Sequence, residues 1–500
     1  MSAGALHNEL PTFGVEIEFL VATLRQNEED PHGFVEGIPP VLRVPRSFQP
    51  SGYAWGKIQD VLDECFGKSQ EDGLLTLSVL NKYREWSVDS DSSLLPTRGD
   101  LYNKYTWVEV EVVSPVQYGS PKGFEAVNLA ISLITSRFRC HVNRSCGVHV
   151  HVGLGADRIS LEQLKRFATL SYAVEPLLYT LQHPEREINM NCKTLRYFSN
   201  LAHSSAELDN AVPHNNPEFR DEKFHCITHL GQERRHGEER LLVREMNNSQ
   251  AYVDAFLETR QAGHYEPFTQ PGDSRHTTLL LGDLSEELDR RISRATLPSS
   301  STTSPVEPAR QRGIPRLRLP KYSQADLASM NYRNNRWGAS ISSNHIEVRA
   351  YNNPGPSVAE ATERIYSQPS TCNVAQLLHS AVGDQRSGSS FHHYRCFNFE
   401  PFMVSGRTIE MRMGEGSLCG EWVSTWAKII TGLFKFALHS SPSVFMDVLE
   451  NCGRATTVGG YDVVDLLDDI GLFAEAVIVE KRLSGYEDEW GGVEFEELEA

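Results

Sequence analysis

Several familiar signatures are missing from this chain. No G-x-x-x-x-G-K-[ST] and no G-x-G-x-x-G occurs in its 500 residues, so neither a P-loop nor a Rossmann cradle for phosphates is expected. A basic excess is absent as well. The formal net charge is −18, which argues against nucleic acid as a partner. Part of that charge lies in residues 487–500, read as a solvated acidic tail. There is no C-x-x-C; the nine cysteines are odd in number and scattered, as expected of reduced thiols in a cytoplasmic protein. Long apolar runs are missing too. Stretches such as Ile429–Leu438 are too short and too interrupted to span a bilayer, and Met1–Leu10 lacks the basic-then-apolar pattern of a secretory leader.

What is present is a repeated strand design. Phe13-Gly14-Val15-Glu16-Ile17-Glu18-Phe19 alternates apolar and acidic residues. In a strand, positions i and i+2 share a face, so Glu16 and Glu18 stand side by side while Val15, Ile17 and Phe19 face a core. Two carboxylates that close repel unless a cation lies between them. Trp107–Val113 repeats the pattern with Glu109 and Glu111, Gly147–Val152 with His149 and His151, and Thr408–Met413 with Glu410 and Arg412. Solvated strands mix Thr, Lys, Ser and Gln. Polar positions that are almost all Glu, His or Arg point to one sheet face lining a charged cleft.

Between these strands the spacing predicts helices. Ala54–Phe66 has helical apolar spacing; Ser120-Pro121 caps a helix with Phe124, Val127, Ile131 and Ile134 on one face. Ser160-Leu161-Glu162-Gln163 is a capping box. Further helices are expected over Thr371–Val382, Trp422–Ala437, Ser443–Glu450 and Val463–Phe473. The order predicts an α+β fold with helices packed on one face of a sheet and the other face, carrying the acids and histidines, open to ligand. Residues 1–500 are read as one catalytic domain. Residues 261–323, rich in Pro, Ser, Thr and Arg, are read as a flexible insertion within it. Two features stay open. Asp89 and Asp91 serve either turn chemistry or ligand contact. His345–Arg349 is either a fifth cleft strand or an ordinary one with a cross-strand ion pair.

Oxygen-rich clusters hold Mg²⁺ or Mn²⁺, which bind nucleotide phosphates, and arginines neutralise a phosphoryl group in flight. Arg186 is a candidate phosphate or carboxylate clamp. The residues alone therefore indicate a metal-dependent, phosphate-handling cleft. His149-Val150-His151 also admits a zinc hydrolase, and a non-catalytic binding protein on the same fold is a third reading. Cys146 and His149 point to opposite faces of a strand, so Cys146 is read as a buried structural thiol.

Together with Glu111-Val112-Val113-Ser114-Pro115 and Cys146–Gly153, these strands resemble the putative amidoligase family. Its members are carboxylate–amine ligases with the catalytic fold of glutamine synthetase and glutamate–cysteine ligase. Trp86–Asp89, Arg186-x-x-Asn189 and Arg395-x-x-Asn398 are similar to family positions. Met411 and Gly414-Glu415-Gly416 stand where the family more usually has Phe and a His/Gly-Thr turn. The resemblance implies an antiparallel sheet with helices packed on one face and an open, charged concave face that binds ATP and a divalent cation, Mg²⁺ or Mn²⁺. It implies phosphorylation of a small-molecule or peptide carboxylate, then displacement of phosphate by an amine. On that basis Glu16 and Glu18 are metal ligands, with Glu111 or Glu109 and Glu410. His149 or His151 binds metal or phosphate, Arg395 and Asn398 belong to the nucleotide site, and Arg412 clamps the phosphoryl group beside Arg186.

Overall fold

The computed structural model describes residues 10–67, 84–94, 104–182, 355–378, 396–399, 408–457 and 461–490, except 32, 34–36, 92, 144 and 156, together with 186, 192, 194–199, 201 and 202. The expected insertion 261–323, the His345–Arg349 segment and Arg395 lie outside these residues. Chain 1–500, read above as one domain, divides into two compact units. Among the described residues one holds 10–158 and 396–431, and the other 159–202, 355–378 and 432–490.

The first unit is built on a largely antiparallel sheet. Its strands are β1 (Thr12–Arg25), β2 (Leu42–Val44), β3 (Ser87–Asp89), β4 (Thr106–Val113), β5 (Gln117–Tyr118), β6 (Cys140–His141), β7 (Gly147–Gly153), β8 (Phe397–Asn398) and β9 (Thr408–Glu415). The spatial order is β3-β4-β1-β7-β9-β8, and β2, β5 and β6 also pair with β1. Only β2 runs parallel to its neighbour among these pairs. Phe13, Val15, Ile17, Phe19 and Val21 alternate along β1 and are all buried; each such side chain contributes about 1.5–3 kcal/mol by leaving water.

Two helices of this unit are α1 (Pro50–Phe66) and α2 (Pro121–Arg137). The first buries Ala54, Ile58, Val61 and Leu62, and its Trp55 Nε1 donates to the Glu109 carbonyl at 2.8 Å. The second is capped by Ser120, which accepts from the Gly123 amide, and its Phe124 stacks on Phe13 at 4.6 Å.

On the opposite face β1 carries Glu16 and Glu18, then turns apolar. Leu20 packs with Leu94 and Cys146, and Ala22 and Leu24 with Val41 and Tyr105. The strand therefore continues well past Phe19. The excursion before α1 is tied down by Asp30, which accepts from Tyr105 Oη at 2.7 Å and from Arg139 Nη1 at 3.1 Å.

The second unit is helical: α3 (Leu161–Tyr179), α4 (Leu195–Phe198), α5 (Val358–Tyr366), α6 (Thr371–Leu378), the end of α7 (Gly420–His439), α8 (Pro442–Thr457), α9 (Val463–Asp469) and α10 (Phe473–Trp490). The Ser160 capping box forms with both of its hydrogen bonds. Pro176 lies inside α3 and cannot donate to the Tyr172 carbonyl one turn back. Arg196 replaces the missing donor: its Nε reaches that carbonyl at 3.3 Å and its Nη2 the Ala173 carbonyl at 3.4 Å. The helix expected over Val463–Phe473 is two helices, parted at Gly471, whose φ of 79° ends the first. Among the described residues no helix is long and apolar enough to cross a membrane.

Candidate active site

The site is set by strand register. Glu16 lies opposite His149, and Glu18 opposite Glu111, which in turn faces Asp89. His151 lies opposite Glu410, and Glu410 opposite Asn398. Pairing of β1, β7, β9 and β8 thus brings residues from both ends of the chain onto one face.

His149 sits among carboxylates. Its Nδ1 is 3.2 Å from Glu16 Oε2 and 3.7 Å from Glu410 Oε1, and its Nε2 is 3.5 Å from Glu18 Oε1. His151 Nε2 is 3.3 Å from Glu16 Oε1 but makes no aligned hydrogen bond, although that nitrogen is buried. Glu410 is held on both oxygens: Arg412 Nη1 donates to Oε1 at 2.5 Å and Asn398 Nδ2 to Oε2 at 2.8 Å. Glu18 Oε2 accepts from the Gly147 amide at 2.6 Å.

Glu16, His151 and Glu410 each offer a ligand atom within 4.8 Å of the others. One imidazole and two carboxylates form a hard, oxygen-rich donor set that suits Mg²⁺ or Mn²⁺. The buried, unbonded Nε2 of His151 fits a missing ligand. His149 is not in this group. Its ring nitrogens are turned to Glu16 and Glu18, so the H-x-H sequence does not present both rings to one ion, as a paired zinc site requires.

The electrostatics set the two rings apart. Burial pushes the Glu16 carboxyl up, but the two histidines outweigh it and hold it well below the usual carboxylate range. Burial likewise raises Glu410, and Arg412 and His151 pull it down. For His149, burial and the Arg412 charge lower the pKa, leaving a neutral ring. In His151 burial is overcome by Glu16 and Glu410, so its pKa is raised. Arg412 is raised too, since its acids outweigh burial. Arg412 and His151 are therefore the positive groups that offset Glu16 and Glu410.

The remaining candidates are spread more widely. Glu111 is buried beside Glu18, while Glu109 is partly exposed and lies opposite Leu20, one step further from Glu16. Arg186 is buried in the second unit. Cys146 is a buried thiol, packed on Leu20 and Leu94. Two features had no sequence signal. One is the Gly147 amide on Glu18. The other is a β-bulge in β9: Val148 pairs with Gly414 and Val150 with Met411, so Arg412 and Met413 both lie opposite His149.

This acid–histidine face is mostly built from strands in the first 201 residues, and that span has a counterpart among known families. Residues 10–201 match the family described as putative amidoligase enzyme. That match bears out, over this segment, the resemblance drawn from its motifs. No curated protein and no solved structure matches the chain. The matched span supplies Glu16, Glu18, Glu111, His149 and His151, whereas Asn398, Glu410 and Arg412 lie beyond it and join through the pairing of β9 with β7.

Proposed function

We propose that this protein is a cytoplasmic, ATP-dependent carboxylate–amine ligase on a glutamine synthetase-like sheet whose charged face is concave. One observation carries the reading. Within an α+β chain whose residues 10–201 match an amidoligase family, Glu16, His151 and Glu410 converge to within 4.8 Å, with Arg412 bonded to Glu410. Glu16, His151 and Glu410 would hold Mg²⁺ or Mn²⁺, with Glu18 and Glu111 beside them. When bound, the cation neutralises the phosphate charge of ATP. Arg412 adds a second positive centre for the phosphoryl group, and neutral His149 orients Glu16 through its Nδ1.

The reaction that suits such a site runs in two steps. A substrate carboxylate oxygen attacks the γ-phosphorus of ATP and ADP leaves, giving an acyl phosphate. An amine nitrogen then attacks the carbonyl carbon, phosphate leaves, and the nitrogen gives up its proton as the amide forms. The substrates would be small-molecule or peptide acids and amines; neither nucleic acid nor membrane is required. The test is an ADP-release screen with Mg²⁺ and ATP across amino acids and peptides. Turnover is expected only when an acid and an amine are both present, and Glu18→Gln is expected to abolish it. Amide cleavage without nucleotide would overturn the reading.

A further inference from the structure

The helical unit holds a buried polar cluster that the ligase chemistry does not use. Glu162 lies in the first turn of α3 and is only 4% exposed. Both of its carboxylate oxygens are buried without a hydrogen-bond partner. Its cationic neighbours one turn on reach elsewhere. Lys165 Nζ donates to the carbonyl of Tyr366, the last residue of α5, at 3.0 Å. Arg166 Nε donates to the Ala437 carbonyl at 2.5 Å, and its Nη2 to Ser440 O and Oγ at 2.7 Å each. The Arg166 guanidinium also lies over the Phe445 ring at 4.4 Å. The Tyr366 hydroxyl is a second buried group with no partner.

An ionised carboxylate left like this is costly, so the group keeps its proton. Burial pushes the Glu162 carboxyl up to about 7, against the pull of Lys165 and Arg166. The elements packed on α3 add little to oppose this. The end of α5 brings Tyr366, itself raised by burial and by Glu162. The sequence of α6 carries no charged residue. Arg196 of α4 is bonded to carbonyls of α3. Asp447, Glu450 and Arg454 are the charged residues of α8, and His439 closes α7.

We propose that Glu162 and Lys165 form a proton-operated latch on the C-terminal end of α5. Loss of the Glu162 proton to solvent draws Lys165 Nζ off the Tyr366 carbonyl and onto the carboxylate, and the last turn of α5 loosens. The i, i+3 spacing on one helix face allows this exchange without moving α3. A lysine at a helix C-terminus also stabilises the helix dipole, so α5 loses that too. The sign follows from a raised carboxyl. Its stabilising contribution is complete below the unfolded carboxyl pKa of about 4.3 and is lost as pH rises towards about 7.

Hydrogen exchange of the full chain across residues 358–370 tests the latch, with rates corrected for intrinsic pH dependence. In the wild type, exchange is expected to quicken by about tenfold between pH 6 and pH 8, the loss of one charged hydrogen bond. Glu162→Gln should stay slow at both pH values. Lys165→Met should be fast at both. A wild type without the pH step overturns the proposal, as does a step that persists in either variant. The wild-type measurement decides by itself should a variant not fold.

Discussion

At the scale of single residues, the feature that distinguishes this face from an ordinary charged strand is that its acids are held. Glu410 has a donor on each oxygen, from Arg412 and Asn398, so its orientation is fixed before any ion arrives. Partners of this kind typically tune metal affinity by ten- to a hundredfold. Asn398→Leu is therefore expected to weaken Mn²⁺ binding by about that factor, measured by calorimetry, with the far-UV spectrum unchanged. An unaltered affinity would mean that Glu410 needs no help to point at the ion. Glu16→Gln should cost more, because Glu16 reaches both His149 and His151. The acids and histidines stood out in the sequence because a solvated strand rarely carries so many like groups at period two. Asn398 was legible only as a motif position, since an amide in a two-residue strand has no pattern of its own.

At the scale of elements, the alternation marked where strands exist but not where they end. The reading of β1 stopped at Phe19 because Leu20, Ala22 and Leu24 break the acid–apolar pattern. They face the same side as Glu16 yet are buried by Leu94, Cys146, Val41 and Tyr105, all distant in sequence. Caps were easier, since Ser160 and Gln163 act within one turn. The bulge in β9 was not readable, because it depends on partner strand β7. Its consequence is that Gly414 turns toward Trp426. A Cβ at Gly414 would lie 2.5 Å from the Val148 carbonyl and 2.7 Å from Trp426 Nε1. Gly414→Ala should thus destabilise the protein by about 1–3 kcal/mol in urea unfolding. In the other unit Arg196→Met should cost a comparable amount, roughly 1–3 kcal/mol, by leaving the Tyr172 carbonyl that Pro176 cannot serve without its donor. A neutral result there would show that water replaces the guanidinium.

At the scale of the whole molecule, the three convergent side chains come from β1, β7 and β9, with the third nearly four hundred residues after the first. Closing such a distance costs chain entropy, and the three groups are together only once β9 has paired with β7. The unfolded chain holds no equivalent cluster, so an ion that binds there binds the native state. Mass action then requires a stability gain of about 2.7 kcal/mol when the ion is present at a hundred times its dissociation constant. Thermal unfolding should accordingly shift upward with Mn²⁺ by several degrees, roughly 2–4 °C per kcal/mol for a domain of 150–250 residues. Chelation should reverse the shift. Glu410→Gln should remove most of it, because the amide oxygen carries no charge and competes with Asn398 for orientation. Glu109→Gln should leave it intact, since Glu109 lies opposite Leu20, outside the convergent set. If Mn²⁺ raised the midpoint of both variants equally, the ion would be bound elsewhere, and the sheet face would lose its claim to be the metal centre.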